Sequence, residues 1–124
     1  EVDSIPQFYL SSAFGGQMRN SSHHYPSTLL AVDAMQQGEV DAAMGLRSQI
    51  SHLQGSMDVQ QYKLAQNAFP MLGQQQWDIG MAVKTNYRQL GYAVGDIVES
   101  MIKHGEMKKI FAKYGAIYQV PAFY

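Results

Sequence analysis

Hydrophobic positions fall at helical spacing over much of this chain and at alternating spacing over short stretches between. The longest stripe, Leu90, Ala93, Val94, Ile97, Val98 and Met101, predicts an amphipathic helix over residues 87–104, with Gly105 just past its end. A last helix over 106–114 turns Met107, Ile110, Phe111 and Tyr114 inward and stops at Gly115. Upstream, Leu29, Leu30, Ala34 and Met35 mark a helix over 26–37, opened by Pro26, Ser27 and Thr28 and stopped by Gly38. Residues 6–14 read as a short helix with Asp3 or Ser4 as its cap and Gly15–Gly16 as its end; residues 46–53 read as another, ended by Gly55. The polar, aperiodic stretch 17–25 predicts a loop.

Three segments read as strands. Residues 40–44 are small and suited to a buried position, and 59–65 carry a weaker pattern. Residues 77–84 are the clearest, because Trp77, Ile79, Met81 and Val83 share one face while Gly80 and Ala82 keep the other small. Helices alternating with strands predict an α/β protein.

Composition narrows the chemistry more than the fold. The 124 residues carry 15% charged and 46% hydrophobic side chains and a net charge of −1, which gives no general electrostatic reason to bind nucleic acid. No cysteine is present, so disulfides, thiolate zinc sites and a cysteine nucleophile are excluded. The first residues lack a signal peptide's basic and apolar regions, which predicts either a cytosolic chain or a mature or truncated product. His23–His24 has no third ligand at a recognised metal spacing, and His52 and His104 stand alone. Serines are plentiful, yet none sits in a nucleophile elbow, and no glycine-rich loop precedes a helix as a phosphate site requires. Lys103, Lys108, Lys109 and Lys113 read as solvated helix exteriors. The reading is of a protein that is not an enzyme, with no cofactor and no metal. Asp3-Ser4-Ile5, ahead of Pro6, carries a hydroxyl and backbone N–H groups at a helix start; it is read either as a plain cap or as an anion or carbonyl site.

Two stretches together carry a resemblance. Gly38-Glu39-Val40-Asp41-Ala42-Ala43-Met44 leads from a helix stop into a small-residue strand. Trp77-Asp78-Ile79-Gly80-Met81-Ala82-Val83-Lys84 is followed by the long helix, then Gly105-Glu106-Met107 and Ile110-Phe111-Ala112-Lys113-Tyr114-Gly115. Their order over residues 26–115 resembles bacterial extracellular solute-binding proteins of family 3, with the periplasmic binding protein type 2 fold. The resemblance implies an α/β chain in which 1–75 form most of the second lobe, 76–84 the crossover strand, and 85–124 the returning C-terminal helices of the first lobe. It implies a periplasmic location and places Asp3, Ser4 and Ile5 at the loop that grips a ligand's carboxylate. The position that pairs with an amino-acid ammonium is Leu46, followed by Arg47, which disfavours a standard amino acid as ligand.

The resemblance implies a segment that binds a small polar or anionic ligand for the membrane subunits of an ABC importer, its other lobe being absent or supplied by a second chain. The alternative is a non-catalytic accessory protein, such as the solute-binding-like partners of periplasmic quinoprotein alcohol dehydrogenases, which the strand at 77–84 and the tail after Gly115 resemble. The helices at 26–37 and 87–104 are further expected to leave apolar surface exposed, with a tendency to associate.

Overall fold

Ser4 and Ser27 open the first two helices by the same device. Each sits in extended backbone and accepts a hydrogen bond from the N–H three residues on, that of Gln7 at 3.4 Å and of Leu30 at 3.2 Å. In the computed structural model, which describes residues 1–58, 60–65, 69, 72–73, 76 and 78–122, the helices are α1 (Ile5–Ser12), α2 (Thr28–Gln36), α3 (Arg47–Gln54), α4 (Arg88–Lys103) and α5 (Glu106–Lys113). Short 3-10 turns cover Ala13–Gly16, Arg19–Ser21 and Thr85–Tyr87. The second of these lies within the segment expected to be a plain loop. Gly38 after α2 and Gly105 between α4 and α5 adopt φ 79° and 74°, a left-handed conformation that stops each helix and that other residues adopt only with strain.

The chain divides into two units, Glu1–Gly73 and Gln74–Tyr124. In the first, α2 is the central element, with Thr28, Ala31, Val32 and Ala34 buried and Val32 only 2% exposed. The expected stripe is thereby corrected: Leu29 and Leu30 face solvent, and small residues face inward. Small side chains suit a helix approached closely by its neighbours, and Gly45 lies directly against Thr28 and Ile50. Pro6 and Tyr9 of α1 and Ala13 just after it are buried, and Tyr9 meets Phe69 edge-on with ring centroids 5.5 Å apart. The N–H of Val2 donates to the Tyr25 carbonyl at 2.9 Å and ties the start of the chain to the segment before α2.

In the second unit, α4 and α5 contact each other, and Val83 lies against Gly91 of α4. Phe111 of α5 meets Tyr118 at 5.1 Å between centroids. The Asp78 carboxylate accepts the Ala122 N–H, with oxygens at 3.1 and 3.2 Å.

No strand forms among the described residues, so the expected α/β fold, and with it the two-lobed binding-protein architecture, is corrected to a helical one. The physical reason differs by segment. Around 59–65, Asp58 builds a turn instead: its carboxylate accepts the Gln60 N–H at 2.9 Å and its carbonyl accepts the N–H groups of Gln61 and Tyr62. Val59 and Trp77 lie outside the described residues. Residues 40–44 and 79–83 have strand-like composition, but no backbone group in either stretch finds a ladder partner among the described residues. A lone strand has nothing to offset its ordering cost. Ile110 of α5 and Tyr114 at its C-cap are also exposed, at 42% and 57%, contrary to the inward orientation expected from periodicity.

Candidate functional site

The N-terminal candidates are built around the start of α1. Asp3 adopts φ 55°, which an aspartate tolerates better than most residues, and its N–H donates to the Gln7 Oε1. The Ser4 hydroxyl donates to the Glu1 carbonyl while accepting the Gln7 N–H. The Ser4 carbonyl takes the Phe8 N–H at 3.1 Å, and Pro6 has no N–H to give. Of the backbone donors at this helix start, the Ser4 and Ile5 N–H groups have no acceptor among the described residues. The Ser4 hydroxyl, the side-chain donor that a grip on a carboxylate would use, is already committed to the Glu1 carbonyl.

Leu46 and Arg47 form the start of α3. Leu46 is its N-cap in extended backbone and contributes no capping side chain, and Arg47 is exposed. No hydrogen bond or ion pair joins Arg47 to Asp3, Ser4 or Ile5 among the described residues. Their two segments are nevertheless linked through a residue that motif reasoning passed over. The buried Thr28 Oγ1 lies 3.0 Å from the Glu1 Oε2 and 3.1 Å from the Gln49 amide oxygen. A hydroxyl has one proton; donated to the carboxylate, it leaves the Thr28 oxygen to accept from a turned Gln49 amide. Glu1, Thr28 and Gln49 thus tie the N-terminal segment, α2 and α3 into one polar knot. Only Gly45, which admits Thr28 beside Ile50, signals this arrangement in the sequence.

His23 and His24 are exposed, with His24 Nδ1 3.4 Å from the Gln7 amide nitrogen. Among the described residues, no group of three or more His, Cys, Asp or Glu is placed to hold a metal ion, and no helix is long and apolar enough to cross a membrane.

The second unit offers an exposed surface. None of its described residues is buried, and α4 and α5 bury no side chain fully. Leu90 and Ile97 on the α4 stripe are 55% and 59% exposed, with Ile110 of α5 and the adjoining Tyr114 also exposed. This is the exposed apolar surface expected for the helix at 87–104. Around it, α5 carries Lys108, Lys109 and Lys113, all exposed, against one acid, Glu106, whereas Lys103 of α4 is already paired with Glu99. The Lys113 ammonium lies 5.6 Å from the Tyr114 ring centroid, so its charge stays beside the apolar surface. In comparisons with family models, curated proteins and solved structures, nothing matches this chain.

Proposed function

We propose that this chain is a non-catalytic interaction protein whose α4–α5 surface binds a protein partner presenting an apolar patch rimmed by acidic side chains. The observation that carries the reading is the pairing of a long amphipathic helix with no buried side chain and a neighbouring helix whose exposed charge is mainly lysine. Large exposed apolar surfaces bordered by polar groups mark interaction sites, and lysines on the rim set partner choice and association rate. The small-ligand reading has less support, because Ser4 spends both its hydrogen-bonding roles within the chain and Pro6 removes a donor beside it.

A photo-crosslinking residue at position 97, compared with one at exposed Gln60, tests this in the native cell. Position 97 is expected to capture one defined protein that position 60 does not. Its capture by purified chain is expected to weaken when Lys108, Lys109 and Lys113 are all changed to Gln. Equal capture from both positions contradicts the reading. So does stabilisation of the purified chain by a panel of carboxylates and amino acids that disappears in Ser4→Ala.

A further inference from the structure

The stretch between Asp78 and Lys84 is held at both ends and unpaired in the middle. Asp78 is fixed by the Ala122 N–H, and Val83 rests on α4, where a Cβ added at Gly91 would come within 2.8 Å of the Val83 side chain. Between these anchors, no backbone N–H or C=O of residues 79–83 has a partner among the described residues. Ile79 is 83% exposed and Met81 68%. An open apolar stretch with free backbone groups is a template for strand pairing.

We propose that residues 78–84 pair antiparallel with the same residues of a second copy of this chain, in a register centred on Met81. The sequence itself selects this occupant. Centred on Met81, the register sets Ile79 opposite Val83 of the second copy and Met81 opposite its counterpart, so that one face is wholly apolar. On the other face, Gly80 opposes Ala82, so small residues meet small residues there. At both ends Asp78 falls opposite Lys84 of the other copy, giving two opposite-charge pairs related by the two-fold axis. A slip by one residue breaks both pairs and turns apolar side chains against the small face. The alternating pattern of this segment is thus satisfied between chains, where the single chain supplies no ladder partner. The proposal concerns this backbone edge and is independent of what covers α4 and α5.

Sedimentation of the full chain over a range of concentrations tests it. The expected result is reversible association to twice the 13.9 kDa chain mass. Lys84→Asp and Asp78→Lys each place like charges at both ends of the register and are expected to weaken association at least roughly tenfold. Mixing the two variants restores opposite charges at both ends and is expected to recover a heterodimer of near wild-type strength. Met81→Lys sets two ammonium groups face to face at an exposed position and is expected to leave a monomer. Hydrogen exchange of amides 79–83 is expected to slow as concentration rises. A chain that stays monomeric at every concentration overturns the proposal. A dimer indifferent to Met81→Lys, or charge variants that do not recover on mixing, overturns it as well, because association then runs through another surface.

Discussion

Replacing Gly45 by Ala is expected to destabilise the N-terminal unit by about 2 kcal/mol, and replacing it by Val by about 3 kcal/mol. A Cβ at this position would stand 2.7 Å from the Thr28 Cγ2 and 3.2 Å from two carbons of Ile50, well inside ordinary van der Waals contact. Thr28 has no inexpensive way to yield. It is 4% exposed, and turning its methyl aside also turns its hydroxyl away from Glu1 and Gln49. Either the polar knot opens, leaving a carboxylate and a hydroxyl poorly satisfied, or α3 moves away from α2. For a unit of this size, about 2 kcal/mol corresponds to a fall in melting temperature of roughly 10 °C. Calorimetry measures it, and hydrogen exchange of the α2 amides assigns the loss to this unit. Gly95→Ala is the control: its Cβ meets nothing within 4 Å, so it is expected to stabilise α4 by up to about 1 kcal/mol through helix propensity alone. A Gly45→Ala chain as stable as the wild type contradicts the close approach of these segments.

Ile97→Asp is expected to separate folding from function. At 59% exposure the side chain contributes little to the chain's own stability, so urea unfolding of the variant is expected within about 0.5 kcal/mol of wild type. In the complex the same position lies at the centre of the α4 stripe, where an unpaired charge in a desolvated contact costs about 2–4 kcal/mol, or roughly thirty- to a thousandfold in affinity. Titration of the captured partner with wild-type and variant chain measures that ratio. The opposite pattern, a strongly destabilised variant that binds normally, makes Ile97 an internal packing residue.

The five α-helices among the described residues were legible in the sequence because their signals are local. Ser4 and Ser27 cap, Pro6 starts, and Gly38, Gly55 and Gly105 stop within a residue or two of where periodicity placed them. The strands were not legible in the same way, because a strand depends on a distant partner that one sequence does not display. Residues 79–83 have the alternation and no ladder among the described residues; residues 60–65 yield to the local turn built by Asp58. The buried face of α2 was misread because Leu29 and Leu30 outrank Ala31 and Val32 in hydrophobicity, whereas the close approach of Gly45 and its neighbours selects small residues. Ser4 was legible as a helix start, where it serves as the cap. The Glu1–Thr28–Gln49 knot had no motif, since its members stand 21 and 27 residues apart.

Amide hydrogen exchange of the isolated chain at low concentration tests most directly the claim that the α4–α5 surface awaits a partner. With no buried side chain, α4 and α5 are expected to open at a cost of only about 1–2 kcal/mol, while the amides of α2 around Val32 exchange far more slowly. Saturating partner is expected to slow α4 and α5 and leave α2 unchanged. Amides of α4 and α5 as protected in the isolated chain as those of α2 would contradict the account, because that surface would then already be covered.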